Sequence, residues 1–308
     1  MNPYSYTYSE PHFNLYLAQE TGGWRRYTVD FATAHPTHSE ENNTVRGEYL
    51  EPKTDGDIPL VILVHGLGDR SLIPCRALAR SLVKNGMACF ILHLVLHSSR
   101  MSPKVRKEGI GVLTPEEWFE SYRISVIDVR QVIDWAASRA RINREQIAVT
   151  GISFGGFISA IVMGIDKRIG AGVFLVSAGN LEKIAYLSKT LPRRWGYHRT
   201  EKEFDERQEQ YSRYLEQVAE KGFENVDTSE RGFLTDAMTF AHYLRRRPVL
   251  MVNALWDEVI PKQAVLDFWT ASGRPEISWF PGGHATIWLW YPFIIRRLTR
   301  FLSKSFRR

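Results

Sequence analysis

The residues that could do chemistry begin with a serine between glycines. Gly151-Ile152-Ser153-Phe154-Gly155 follows the strand-like run Gln146-Ile147-Ala148-Val149-Thr150 and precedes the apolar stretch Phe157-Ile158-Ser159-Ala160-Ile161-Val162. This is the G-x-S-x-G pattern of a sharp strand-to-helix turn that lifts a serine hydroxyl off the end of a sheet. Side chains on its neighbours would keep strand and helix apart, which is why glycine flanks the serine. The plainer reading, a glycine-rich turn with an incidental serine, does not account for the strand and helix on either side.

A serine hydroxyl attacks poorly until a base takes its proton. The chain has nine histidines, so position must choose among them. His284, in Pro281-Gly282-Gly283-His284, comes after the last strand-like run and before the final helical segment. From a glycine-rich loop there, its imidazole can reach the sheet end where Ser153 emerges. His65, His93 and His97 also follow strand-like runs, but they precede the serine and suit the oxyanion or substrate side. His12, His35 and His38 fall in a poorly patterned N-terminal region, and His198 and His242 in a long insertion. The base in turn needs an acid to fix its tautomer and stabilise the imidazolium. Asp257 lies between the fifth and sixth strand-like runs, in Asn253-Ala254-Leu255-Trp256-Asp257-Glu258-Val259-Ile260-Pro261. Glu258 is the adjacent competitor; a neighbouring side chain points another way, which favours Asp257. Oxyanion donors are expected from the backbone N–H of Phe154 and of Leu67, the latter in His65-Gly66-Leu67-Gly68 after the first buried strand.

The elements that must position these groups are legible in the apolar pattern. Leu60–Val64, Ala88–Leu92, Gln146–Thr150, Gly172–Val176, Pro248–Val252 and Glu276–Phe280 read as strands, the first of them continuously apolar. Such runs belong to parallel sheets covered by helices on both faces. Helical stripes alternate with them. Ile73, Ala77, Leu78 and Leu82 form one; Trp118, Tyr122, Val126, Val129 and Ile133 form another, opened by a Thr114–Glu117 capping box. Tyr27–Thr33 and Val45–Leu50 predict a leading antiparallel edge. About 70 residues separate Ser177 from Arg247, where such sheets use loops of roughly 2–6. Residues 178–246 are therefore expected to form a helical cap inserted into a core of 1–177 and 247–308. The cap would carry one helix after a Thr200–Glu203 capping box and another through Phe233, Ala237, Phe240 and Leu244.

His65-Gly66-Leu67-Gly68, Gly151-Ile152-Ser153-Phe154-Gly155, Asp257-Glu258-Val259-Ile260-Pro261 and Gly283-His284, in the order serine, aspartate, histidine, resemble the α/β-hydrolase superfamily. Within it the chain is similar to esterases of the dienelactone-hydrolase and acetyl-xylan-esterase groups. The resemblance implies an α/β-hydrolase fold, an acyl-enzyme mechanism, no cofactor, and a cap that shapes the pocket. A serine at the elbow argues against dehalogenase chemistry and against dienelactone chemistry in the strict sense. Many relatives carry a glycine shortly before the acid, where this chain has Ala254-Leu255-Trp256. Candidate substrate contacts are His93, His97, Arg100, Trp118, Tyr122, Trp288 and Trp290.

The expected activity is hydrolysis of small to medium, largely apolar carboxylic esters. A peptidase, amidase, thioesterase or C–C hydrolase with the same three residues is the alternative, and a non-catalytic scaffold that binds a ligand is the third reading. Composition narrows the partners. With 40 basic and 34 acidic residues the net charge is +6, and the basic residues are scattered without a nucleic-acid motif. Cys75 and Cys89 make neither a disulfide framework nor a metal cluster. The N-terminus lacks a signal-peptide pattern and no apolar run reaches the roughly 18 residues of a membrane span, so the expectation is a cytoplasmic protein. The amphipathic, basic segment Ile294–Leu302 is compatible with weak association with a membrane surface.

Overall fold

The computed structural model describes residues 2–10, 12–68, 71–97 and 100–307. Among the described residues nine strands form one sheet, in the order β1-β2-β3-β5-β4-β6-β7-β8-β9. They are β1 (Asn14–Glu20), β2 (Trp24–Ala32), β3 (Thr44–Pro52), β4 (Ile58–Val64), β5 (Ala88–His93), β6 (Ile142–Ile152), β7 (Ile169–Leu175), β8 (Val249–Ala254) and β9 (Glu276–Phe280). β1, β2 and β3 pair antiparallel, as do β3 and β5; from β5 across to β9 every pairing is parallel. The six strands expected for the parallel part are all present. The antiparallel edge has one strand more than expected. β1 is exposed along nearly its whole length, with Leu15 its one half-buried side chain.

Helices cover both faces. Pro115–Ser138, Phe154–Ile165 and Lys262–Ala271 pack against one face, where Val126, Val129, Ile158, Val162 and Phe268 join Ile62, Val149 and Met251. Ile73–Val83 and Tyr291–Ser305 cover the other, where Leu78, Leu82, Leu298 and Leu302 meet Val61, Leu63 and Val173. The apolar stripe expected on Ile73–Val83 is rotated: Ile73 is 66% exposed, and Cys75, Leu78, Ala79, Leu82 and Val83 face the sheet. Ile73 is the first residue of its helix, beside Pro74. The capping box at Thr114 is formed, with Thr114 Oγ1 accepting from Glu117 N and Glu117 accepting from Thr114 N.

Residues 178–246 are mostly helical: Leu181–Leu187, Leu191–Trp195, Glu201–Lys221 with its Thr200–Glu203 capping box, Arg231–Leu234 and a 3-10 segment, Ala237–Leu244. The single helix expected through Phe233 and Leu244 is broken. Asp236 is buried at the break, and its carboxylate accepts from the N–H groups of Asn180, Leu181 and Met238 at 2.6–2.8 Å. A carboxylate that collects N–H donors from two segments competes with helical continuity. The 3-10 segment rests on helix Phe154–Ile165: a Cβ added at Gly164 would stand 2.8 Å from the Cβ of Phe240. Phe240, Leu244, Tyr211 and Val218 share one apolar core with the sheet's first face.

β5 lies on one side of β4 and β6 on the other, so the strand order reverses at β4. In open parallel sheets the crevice beyond the carboxyl ends of the strands at such a point is where ligands bind. The loop after β4 and the turn after β6 both end there.

Candidate active site

Ser153 occupies the turn between β6 and helix Phe154–Ile165, with φ 52° and ψ −115°. This backbone conformation is costly for a residue with a side chain and persists only where neighbours over-determine it. Here they do. Ser153 N donates to Leu175 O on β7 at 2.8 Å, and Ser153 O accepts from Gly156 N at 2.8 Å. The flanking glycines are sterically obligatory: a Cβ at Gly151 would lie 2.1 Å from Gly155 O, and one at Gly155 would lie 2.1 Å from Val64 O.

His284 Nε2 stands 2.9 Å from Ser153 Oγ, and His284 Nδ1 stands 3.0 and 2.9 Å from the two oxygens of Asp257. Asp257 also accepts from Val259 N and Ile260 N at 2.9 and 2.8 Å, which fixes its carboxylate. With Nδ1–H donated to a carboxylate, Nε2 carries the lone pair and faces the hydroxyl. Hydroxyl, imidazole and carboxylate thus form one hydrogen-bonded line. Glu258 turns away from the imidazole and accepts instead from the backbone N–H of His284 at 3.0 Å. A Cβ at Gly283 would stand 2.4 Å from that same oxygen, Glu258 Oε2. Thr286, which no local motif marks, accepts from Gly283 N at 2.8 Å. The chain from Ala254 to Asp257 extends the pairing of β8 with β9, with Leu255 N donating to Phe280 O and Trp256 N to Gly282 O. Ala254-Leu255-Trp256 thus leads into Asp257 by strand pairing.

The loop after β4 reaches the elbow: a Cβ at Gly66 would lie 3.5 Å from both Ile152 O and Ser153 Cβ. Leu67 follows Gly66 in this loop and is half-buried. Phe154 N–H, at the first position of its helix, has no carbonyl a turn behind it to bond.

The remaining candidates divide. Tyr122 and Trp118 pack edge-on against Phe154, with ring centroids 5.0 and 6.3 Å away, so this aromatic group adjoins the elbow. Arg100 faces the interior. It is fully buried, paired with Asp128 at 2.8 Å, and donates to His93 O and Asn42 O. A guanidinium placed there needs a buried carboxylate and carbonyls around it, and has no path to a substrate. His97 is 1% exposed and spends both ring nitrogens on backbone groups. His93 is mostly buried, which pushes its pKa down to about 4, and it pairs with Arg46 of β3 in the sheet. Trp288 and Trp290 pack in the layer of the C-terminal helix, on the face opposite Phe154. The insertion meets the acid loop directly, since Lys189 N and Ser188 Oγ both donate to Glu258 O.

Among the described residues no group of three His, Cys, Asp or Glu side chains could hold a metal ion, and no helix is long and apolar enough to cross a membrane.

A family model described as the alpha/beta hydrolase fold matches residues 59–285. Among solved structures the chain is similar to an acetyl xylan esterase from Paenibacillus sp. R4, with 19% identity, a TM-score of 0.68, and coverage of 96% of this chain and 89% of that one. It is also similar to acetyl xylan esterase 1 from Thermoanaerobacterium sp. JW/SL YS485 (15% identity, TM-score 0.63, 95% and 89% covered). A cold-adapted esterase from an Arctic intertidal metagenomic library is a third (16% identity, TM-score 0.59, 92% and 96% covered). At these identities the likeness is one of fold. A curated relative, an uncharacterized protein of Mycobacterium tuberculosis, is 22% identical over 161 residues, which are 52% of this chain and 33% of that protein. The chain thus matches about a third of that relative's length.

Proposed function

Because the chain belongs to the α/β-hydrolase family, we propose that it is a serine hydrolase that cleaves carboxylic esters through an acyl-enzyme intermediate. The observation that carries this reading is the unbroken line from Asp257 through His284 to Ser153, with contacts of 2.9–3.0 Å. In the proposed reaction His284 Nε2 takes the Ser153 proton as Oγ attacks the carbonyl carbon. The N–H groups of Leu67 and Phe154 hold the oxyanion, and Asp257 stabilises the imidazolium. His284 then gives the proton to the leaving alkoxide, and water repeats the sequence to release the acid.

Three similar structures bear the names of esterases, which favours an oxygen ester as the bond cleaved over an amide. Phe154 with Tyr122 and Trp118, and the half-buried Leu67, support a small to medium, largely apolar substrate. The helices of 178–246 act in this reading as a cap over the acid loop. Cys75 and Cys89 are buried and outside any disulfide, which fits work in the reducing cytoplasm.

The test is turnover of a p-nitrophenyl ester series together with labelling by a fluorophosphonate. The wild type is expected to hydrolyse the shorter esters and to label at Ser153, and folded Ser153→Ala to do neither. Undiminished turnover in Ser153→Ala, or a folded wild type inert to both reagents, would end the proposal.

A further inference from the structure

The loop that carries Leu67 is held from behind by two buried imidazoles. His65 Nδ1 donates to Gly66 O at 2.9 Å while its Nε2 accepts from Leu94 N at 3.1 Å. His97 Nδ1 donates to Val95 O at 2.8 Å while its Nε2 accepts from Gly68 N at 2.8 Å. The two rings pack edge-on with centroids 4.2 Å apart, and neither is more than 1% exposed. In each ring the backbone carbonyl demands Nδ1–H and the backbone N–H demands a lone pair on Nε2, so both imidazoles are neutral and of one tautomer. The surroundings suit that state: burial holds the His65 pKa well below its ordinary value, and the nearby charge of Arg100 acts in the same direction.

The two bonds bracket Leu67. A trans peptide is planar, so its N–H points opposite to its C=O. Fixing Gly66 O against His65 therefore turns Leu67 N–H away from the imidazoles, and fixing Gly68 N against His97 sets the next peptide plane. Gly68 has φ 77°, a left-handed turn that glycine adopts without strain. We propose that His97, packed on His65, is a positioning residue that aims the Leu67 N–H at the oxyanion. This assigns His97 a place in the machinery that involves no contact with substrate. It rests on the reading of Ser153 as the nucleophile.

The experiment compares His97→Phe, which fills the space without an acceptor, with His97→Gln, whose amide oxygen can accept from Gly68 N. Because an oxyanion contact is made in the transition state, kcat should fall in His97→Phe by about 10- to 100-fold with KM little changed. Affinity for a trifluoromethyl ketone, whose serine adduct carries the oxyanion, should fall by the same factor, and His97→Gln should restore most of both. A merely structural role would lower the melting temperature without linking kcat to ketone affinity. Folded His97→Phe with both quantities within about twofold of wild type would overturn the proposal, as would His97→Gln no better than His97→Phe. Amide hydrogen exchange on the wild type tests the contact without activity or a variant: Gly68 N–H must exchange slowly for a surface loop, and exchange at the unprotected rate overturns the proposal. If the wild type turns over no ester, it is the hydrolase reading that fails, and exchange at Gly68 still decides the contact.

Discussion

The backbone at Ser153 makes a quantitative prediction whose sign runs against ordinary experience. With φ 52° and ψ −115°, Ser153 sits where a side chain costs on the order of 1–3 kcal/mol. Replacing serine by alanine keeps that cost and removes the Oγ–His284 hydrogen bond. Replacing it by glycine removes the same bond and the strain together, while returning roughly 0.5–1 kcal/mol of chain freedom to the unfolded state. The comparison between the two variants cancels the hydrogen bond and leaves strain relief minus chain entropy, a net of about 1 kcal/mol in favour of glycine. In the interior of a regular helix the same alanine-to-glycine exchange costs about 1 kcal/mol. For a chain of this size the gain corresponds to a rise of about 2 °C in melting temperature, within reach of differential scanning calorimetry. Both variants are expected to be inactive, with Ser153→Gly the more stable. If Ser153→Ala melts as high as Ser153→Gly or higher, the turn is not strained in solution and the argument from elbow geometry fails.

Gly283→Ala places a methyl 2.4 Å from Glu258 Oε2, the far end of a flexible side chain, so the carboxylate swings out and releases His284 N. Stability should fall by only about 1 kcal/mol, while kcat on a p-nitrophenyl ester falls at least about tenfold because the imidazole is displaced; a melt and a rate measured on the same sample check both. Asp236 gives a pH dependence. Burial pushes its pKa up to about 6 against the three N–H groups that favour the charged form, whereas an unfolded aspartate titrates near about 3.9. The folded chain then binds the extra proton between those values, so this contribution to stability is full below about 3.9 and is lost as pH rises through about 6. The stability lost in Asp236→Asn should accordingly be larger at pH 4 than at pH 7, by roughly 2 kcal/mol. Denaturant melts at the two pH values decide the sign; the opposite slope would mean that the N–H donors outweigh burial.

What the sequence made legible follows from where each element sits. The parallel strands are buried on both faces, so Leu60–Val64 and its counterparts stand out as apolar runs, and the capping boxes at Thr114 and Thr200 mark helix starts because their partners are local. β1 escaped because its side chains face solvent, and the break at Asp236 escaped because two of its three donors, Asn180 and Leu181, are more than fifty residues away in sequence. Of the site, the positions of Ser153, Asp257 and His284 were readable from local context and chain order. The place of Arg100 was not, since a buried guanidinium is recognised only by its partner Asp128 on helix Pro115–Ser138. His97 was singled out for the right region and the wrong contact, because nothing in a sequence tells an imidazole that faces substrate from one that faces a backbone amide.

The adjacent carboxylates Asp257 and Glu258 show how the fold assigns different tasks to similar groups. At one residue's separation their side chains leave the loop in different directions, so a single histidine can be gripped by both only at two different places. Asp257 takes the imidazole at Nδ1 and Glu258 takes the backbone N–H of the same residue. The first contact sets tautomer and ring orientation; the second sets where the ring is carried. A loop that begins Pro281-Gly282-Gly283 has little stiffness of its own, and Gly283 must remain without a side chain for Glu258 to reach through. The glycine that makes the loop pliable is thus the condition for the bond that holds it. Glu258 is in turn anchored on the other side, where its carbonyl accepts from Ser188 and Lys189 of the insertion. The insertion and the backbone of His284 are thus joined through one intervening residue, Glu258.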